Sequence, residues 1–434
     1  MPKDLDTLDS GKIALSALAY VNPEPVPSSQ PADLPFLYID LGSVSQGNID
    51  WLKISMVTKR TAPTRAQRLA RPLDVLFGTV RPALQSHCIV PRDAEELLVA
   101  STGFAVIRAR SGIASPEFLY HYCLSAPFYG EARRAEVGSN YPAVNEHDIA
   151  QFRVLNLPFN EQTSIAVILD TIDAALRRTE QLVAKLKLAK QGLLHDLLTR
   201  GINDNGELRD PLQRSEHFKD SPLGLIPVLW NVQPLGSFVP HAVYGGSQAL
   251  SAGPGIPVLR MNNIKDGEAE LTELKFSDHP CYQRLLLRSG DVLFNRTNSL
   301  EHVGRTGIWR GQLDVASFAS YLVRLDPDPT QLTGGFLNRL LNWSDTQTRI
   351  RRVATPGVQQ VNINPSNLRR TMVAVPASIN EQTEIVKRLD AFDKGIRSED
   401  LALTKLRLLK QALMDDLLTG RVRVTPLLEK DSPP

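Results

Sequence analysis

Three patterns in this sequence carry residue types that do chemistry. Asp266 with Glu273-x-Lys275 resembles a metal-dependent nuclease set, in which carboxylates hold the cation and a lysine balances developing charge. So short a pattern arises readily by chance. His121-x-Cys123 offers two metal ligands, but no second pair completes a tetrahedral set, and the bland reading is a packed or surface pair. The third pattern is basic. From Thr346 to Arg370 the chain holds Arg349, Arg351, Arg352, Arg369 and Arg370 and no acid, a net charge of +5, around Gln359, Gln360, Asn362 and Asn364. Arginine forks match guanine and the amides of Asn and Gln match adenine in the major groove, so this mixture suits base reading as well as phosphate contact. Asn295-Arg296-Thr297-Asn298 has the same composition. Between Trp51 and Arg92, Lys53, Lys59, Arg60, Arg65, Arg68, Arg71, Arg81 and Arg92 stand against Asp74 alone, a net +7 able to neutralise several phosphates. The bland alternative is solvated surface, and His87, His195 and His302 read as solvated or packed.

Catalytic equipment is otherwise missing. There is no G-x-x-x-x-G-K phosphate loop and no G-x-G-x-x-G dinucleotide turn. The Asn/Asp-Pro-Pro-aromatic segment of amino-methyltransferases is absent too; Asp431-Ser432-Pro433-Pro434 has no aromatic. No nucleotide cofactor site is declared, and neither a cofactor nor a metal is expected in this chain. Over 434 residues, 49 Lys+Arg against 47 Asp+Glu leave a net charge of +2, so nucleic-acid affinity has to come from local segregation of charge. That length predicts two to four domains. Cys88, Cys123 and Cys281 lie far apart and form no disulfide framework, which fits a reducing, cytoplasmic compartment. The first thirty residues, with Asp4, Asp6, Asp9 and Glu24, lack a signal pattern, and no stretch reaches the ~18 apolar residues of a membrane span.

The elements that must position these residues are announced by a repeat. Asn160–Thr199 and Asn380–Thr419 align without a gap at an offset of 220, with 19 of 40 positions identical, both opening NEQT and closing LLT. The match extends outward: Asp74 and Asp291 each open DVLF, FLYIDL (Phe36 to Leu41) parallels PVLRMN (Pro257 to Asn262), and Gly138 to Pro158 parallels Gly357 to Pro376 with one gap. The chain is a tandem duplication of a variable domain followed by a matched segment. Apolar residues recur at helical spacing at Ile165, Leu169, Ile172, Leu176, Val183, Leu186, Leu193 and Leu197, interrupted at Thr179 and Lys190. The second copy has Ile385, Leu389, Phe392, Ile396, Leu403, Leu406, Leu413 and Leu417, interrupted at Glu399 and Lys410. So narrow a stripe predicts a helix-pairing seam, in rods of ~60 Å with Asn160 and Asn380 as N-caps.

The variable parts carry β-rich runs at Phe36–Ile39, Val75–Phe77, Ala105–Arg108, Pro257–Arg260, Val292–Phe294, Tyr321–Leu325 and Met372–Val375, separated by Gly, Pro and Asn. The expected fold class is α+β: two α+β domains in tandem repeat, each followed by a long helix, the two helices pairing as an antiparallel coiled coil. The expected boundaries are 1–157 for the first domain, 158–202 for the first helix, 203–377 for the second domain, 378–425 for the second helix and 426–434 for a tail. Asn203–Ser221 reads as a polar linker. Antiparallel pairing predicts Lys190 opposite Asp390 and Lys410 opposite Asp170, whereas parallel pairing would stack the two lysines.

This order of variable domain, NEQ-headed helix ending LLT, second variable domain and second such helix resembles the specificity subunit of type I restriction-modification enzymes, over essentially the whole chain. Leu223-Gly224-Leu225-Ile226-Pro227-x-x-Trp230 and the DVLF strands add to the resemblance. In the first unit Lys12–Pro27 matches that lead-in only loosely, leaving the start of the first domain open. The resemblance implies two target-recognition domains, each reading half of a split asymmetric site on double-stranded DNA. It also implies two methyltransferase (modification) subunits docked on the helices and separate restriction/translocase subunits, so that S-adenosylmethionine, ATP and Mg belong to partners and this chain is no enzyme. Recognition residues vary within such a family, so it supplies regions rather than residues. The candidate DNA contacts are Lys59, Arg60, Arg65, Arg81, Ser139, Asn140 and Tyr141 in the first domain. In the second they are Tyr244, Asn295, Arg296, Asn298, Arg351, Arg352, Gln359 and Gln360. Arg177, Lys185, Lys187, Arg397, Lys405 and Arg407 are expected to point away from the seam. The rival reading is a coiled-coil scaffold whose variable domains bind other proteins.

Overall fold

The computed structural model describes residues 11–426 except 46, 139, 141, 358 and 359. Ser139, Tyr141 and Gln359 therefore lie outside the described residues, as does the tail from 427 on. The chain divides into two compact units, the first built from residues up to Gln181 together with those from Leu401 on, the second from Leu182–Asp400.

All seven β-rich runs are strands. In the first unit, Val75–Gly78 lies between Phe104–Ala109 and His87–Ile89, antiparallel to both, and a second four-stranded sheet pairs Phe36–Ile39 in parallel with Leu98–Ser101. The second unit repeats this plan: Val292–Asn295 lies between Leu322–Asp326 and Thr306–Ile308, and Ile256–Leu259 runs parallel to Ser317–Phe318. Runs buried on both faces, such as Val75–Gly78 and Val292–Asn295, need apolar residues without interruption, which is why DVLF survives in both copies. Each unit then adds a helix pair, Pro116–Cys123 with Ala126–Ala135 and Gly334–Asn342 with Ser344–Arg351. Ser115 and Thr333 cap the first helix of each pair by accepting from the amides of Phe118 and Phe336.

An antiparallel strand pair closes each head where it meets its long helix: Lys12–Ala14 with Arg153–Leu155, and Trp230–Pro234 with Met372–Pro376. The next residues form a short helix in both, Leu15–Leu18 and Leu235–Phe238. Lys12–Leu18 thus stands where Val232–Phe238 stands, and this locates the start of the first head's frame. Asn203–Ser221 is not a loose linker. Ile202 bridges Leu208, Phe218–Lys219 pairs with Ile226–Pro227, and Asn203, Asp210 and Ser221 close turns through their side chains.

The matched segments are single helices, Phe159–Thr199 and Ile379–Leu417. They start one residue before Asn160 and Asn380, so neither asparagine is the N-cap. Helix ends shift by a residue or two on small changes in hydrogen bonding. Within the first unit, Asp173 takes Lys410 at 2.6 Å and Glu180 takes Arg407 at 2.8 Å. One residue number rises as the other falls, so 159–181 and 401–417 run antiparallel there. In the second unit Lys190 pairs with Asp393 and Lys187 with Asp400, in the same sense. The expected partners Asp170 and Asp390 are corrected to Asp173 and Asp393, about one turn on. Asp170 and Asp390 instead face the helices of their own heads. The apolar stripe is largely buried. Ile165 and Leu169 share a core with Leu413 and Leu417, and Ile385 and Leu389 share one with Leu193 and Leu197. Ile172, Val183, Ile396 and Leu403 are buried; Leu176, Leu186, Phe392 and Leu406 are half-buried. No described helix is long and apolar enough to cross a membrane.

Candidate nucleic-acid interface

The repeated NEQ triplet holds each head on its helix. Gln162 is fully buried; its Oε1 accepts from the Ser115 amide at 3.0 Å and its Nε2 donates to the carbonyls of Ile113 and Leu157. Gln382 does the same at Thr333 (2.8 Å), Gln331 and Pro376. Such an amide satisfies backbone groups that would otherwise be buried without partners. Glu161 accepts two bonds from Arg423, at 2.9 and 2.7 Å, and one from Thr425. Glu381 accepts from Arg209 at 2.6 and 3.2 Å, from the Trp230 indole N–H at 3.3 Å and from the Ile202 amide at 3.0 Å. Each glutamate therefore ties down the segment that follows the opposite copy's LLT end. The Arg423 guanidinium holds the Glu161 carboxyl below the usual carboxylate range. About two turns further along, His121 hydrogen-bonds Asp170 at 2.8 Å, and Arg339 reaches Asp390 at 2.5 Å and Asp393 at 2.6 Å.

With the frame held, each head projects the residues that follow its DVLF strand. In the second unit Thr297–Asn298 pairs antiparallel with Val361–Asn362, which pairs with Thr355–Pro356. This small sheet gathers the basic and amide residues. Arg296 Nη2 donates to Asn362 Oδ1 at 3.2 Å, Asn362 Nδ2 donates to Thr297 Oγ1 at 3.1 Å, and the guanidinium lies 5.0 Å from the centre of the half-exposed Tyr244 ring. Arg351 stays exposed and bonds the Glu301 carbonyl, Arg352 is exposed, and the Gln360 carbonyl accepts from the Gly357 amide within the same turn. Tyr244 also lines a groove of about 480 Å³ with His241, Ser366 and Arg369. Asn298 is half-buried beside Arg296. Asn295 is corrected: it is buried, because it is still within the doubly covered strand, and it offers nothing to the surface.

The first unit builds the same ribbon from other residues. Val80 and Val137 both bridge Ala143, and the exposed Arg81 donates from Nη2 to the Asn140 carbonyl at 2.9 Å. Lys59, Arg60 and Arg65 sit in the exposed turn between Ser55–Val57 and Ala66–Ala70. Lys59 bonds the Ser28 carbonyl and Arg60 pairs with Asp33 at 3.1 Å, so these side chains lie apart from the Arg81–Asn140 ribbon in the sequence of elements. Asn362 and Thr297, which orient Arg296, were visible only as neighbours in composition; strand pairing assigns them to it.

The other patterns resolve into structure. His121 is engaged by Asp170, and burial pushes the Cys123 thiol far above its ordinary value. Asp266 and Glu273 join no group able to hold a metal ion among the described residues. Of the six cations expected to point away from the seam, Lys187 and Arg407 flank it in ion pairs, while Arg397 lies 4.0 Å from Glu268. All six are exposed.

Two α+β units on one repeated frame, with recurring anchors and unlike ribbons, define a duplicated α+β fold. No family model matches the chain. Its relatives are specificity subunits of type I restriction enzymes. The protein carrying the name MjaX specificity subunit, from Methanocaldococcus jannaschii, is 27% identical over 216 residues, 48% of this chain and 50% of that one. The StySPI specificity subunit of Salmonella potsdam is 24% identical over 431 residues, 90% of this chain and 87% of that one. The chain thus spans half the length of the first relative and most of the second. Among solved structures, the type I S subunit from M. genitalium aligns with a TM-score of 0.57 at 12% identity, covering 94% of this chain and 95% of that one, and shows the shared fold.

Proposed function

We propose that this chain is the DNA-specificity subunit of a type I restriction-modification complex, reading a bipartite asymmetric site on double-stranded DNA. One observation carries the reading: the three bonds by which the NEQ glutamine holds head to helix recur at matching places in both copies, while the ribbons after DVLF differ, with Thr79 and Val80 in one head where Arg296 and Thr297 stand in the other. A duplicated device that keeps its frame and varies its reading edge serves to recognise two different short sequences. The two long helices pair as an antiparallel coiled coil, supported by the Asp173–Lys410 pair in one unit and the Lys190–Asp393 pair in the other. Base contacts come from the Arg/Asn/Gln ribbon of the second head and the Arg81–Asn140 ribbon of the first. Lys59, Arg60 and Arg65 contribute phosphate contacts. The chain itself is non-catalytic. Two modification subunits bring S-adenosylmethionine, and restriction subunits bring ATP and Mg, in the cytoplasm. Exposed leucines on the helices, Leu182 and Leu188 in the second unit and Leu401, Leu408 and Leu409 in the first, support partner docking there.

The test is co-expression with the genomically adjacent methyltransferase in a methylation-free host, followed by mapping of adenine methylation. A split asymmetric motif that vanishes when this chain is omitted is the expected result; a complex that forms but methylates nothing sinks the DNA reading. The rival, a scaffold whose heads bind proteins, is favoured at one place, where Trp51, Leu52 and Met56 are exposed together on the first head. DNA affinity without a salt slope would favour it, because released counterions make phosphate binding steeply salt-dependent.

A further inference from the structure

Arg296 is half-buried and differs from the exposed cations in how fully its orientation is determined. One Nη2 hydrogen goes to Asn362 Oδ1, and Asn362 is itself fixed, because its Nδ2 donates to Thr297 Oγ1. The Tyr244 ring covers the guanidinium at 5.0 Å. Nε is buried and without a partner, so that edge faces the protein. Nη1 is not among the buried unpartnered atoms, and among the described residues no acceptor bonds it. What remains is the end of the fork: both Nη1 hydrogens and the second on Nη2, pointing from a strand-paired ribbon.

We propose that Arg296 reads a guanine in the half-site of the second recognition unit through this open Nη1/Nη2 end; the proposal rests on the reading of the chain as a DNA-specificity subunit. Two parallel donors match the adjacent N7 and O6 acceptors of guanine in the major groove. At adenine the N6 amino group would oppose one of them. A lysine has no planar fork held in advance, so it reaches the same two acceptors with less precision and discriminates less sharply. The first unit has no counterpart, because Thr79 occupies the equivalent place and its hydroxyl donates inward to the Gly103 carbonyl at 2.9 Å. The guanine contact is therefore confined to one half-site, which by itself makes the two halves unequal.

The experiment uses the full chain in complex with its methyltransferase partner, wild type and the variants R296A and R296K. Methylation motifs are mapped in cells, and binding is measured on duplexes in which each guanine of the motif is replaced in turn by 7-deazaguanine, which lacks N7. The expected result is one guanine at which the replacement weakens wild-type binding ~10-fold or more, weakens R296K less and weakens R296A no further. At that position the methylated motif relaxes in both variants. R296K keeps the charge and guards against a folding defect, since it should retain methylation at the remaining positions. A motif with no guanine in either half, or equal 7-deaza penalties in wild type and R296A at every guanine, overturns the guanine assignment while leaving the specificity reading standing. Absence of any methylation motif with the wild-type complex overturns both.

Discussion

The two units solve one packing problem with different chemistry at matching places. Where the DVLF strand meets its neighbour, the first unit puts His87 opposite Phe77 and the second puts Thr306 opposite Phe294. His87 stacks on Phe77 with ring centres 4.2 Å apart and accepts the Gly78 amide on Nδ1, while Thr306 bonds Asn338 and Asn342. Burial pushes the His87 imidazolium down to about 3, so the ring is neutral at ordinary pH. At the head-to-helix contact, His121 meets one aspartate where Arg339 meets two. At the NEQ glutamate, Arg209 is nearly buried (10% exposed side chain), whereas Arg423 is half open (51%). The backbone groups to be satisfied are the same in both copies, so Gln162 and Gln382 recur. Side chains that only fill space or balance charge were free to diverge. The second unit has become the more ionic of the two.

That contrast can be broken first at the glutamates. Glu381→Ala leaves the buried Arg209 and the Trp230 N–H without their acceptor and should cost ~3–5 kcal/mol. Glu161→Ala should cost only ~1–3 kcal/mol, because Arg423 can turn to water. Urea unfolding of the two variants checks the order, and equal losses would show that burial of the arginine is irrelevant. Next, Lys410→Asp or Asp173→Lys alone should destabilise by ~1.5–3 kcal/mol and the exchanged pair should recover most of it. The same exchange at Lys190 and Asp390 should recover nothing, because Asp390 is engaged by Arg339 and Arg310. A recovery there would reinstate the register expected from sequence.

The pH dependence separates the units. His87 has a folded value near 3 against 6.5 unfolded, so its contribution is complete above pH 6.5 and is lost as pH falls through that window, about 2 kcal/mol by pH 5. Glu161, lowered by Arg423, adds a loss at lower pH: its contribution is present above the ordinary value of 4.5 and disappears as pH drops through the lowered one. Hydrogen exchange, corrected for intrinsic rate, should show Phe104–Ala109 losing protection between pH 7.5 and 5, and His87→Leu should flatten that loss. The smallest effect belongs to Arg60. Its pair with Asp33 is exposed on both sides, so Arg60→Ala should change stability by under ~0.5 kcal/mol. Its salt slope for DNA should nevertheless fall by about one. An unchanged slope would remove Arg60 from the phosphate contacts.

Much of the fold was legible because it is periodic. The seven β-rich runs became strands, and the stripe from Ile165 to Leu197 became the buried side of a helix, since side-chain direction along regular backbone follows from spacing alone. The register was not legible. Asp170 and Asp173 are both acids in both copies, and spacing cannot say which of two neighbours faces the other helix and which faces the head. The candidate ribbon was half legible: composition marked Arg296, Asn298 and Gln360, but it also marked Asn295, which lies in a strand covered on both faces.

By itself, the sequence determined the duplication, the two rods, the β-rich heads and the places where cations and amides gather. These depend on residue order over short stretches, and local backbone geometry transmits them directly. Tertiary structure alone decided that Gln162 and Gln382 bond backbone on their own heads, that Glu161 meets Arg423 and Glu381 meets Arg209, and that Asn362 aims Arg296. Most of those contacts join residues dozens to hundreds of positions apart. Only packing, through the need to pair every buried polar group, selects among the many partners the sequence offers.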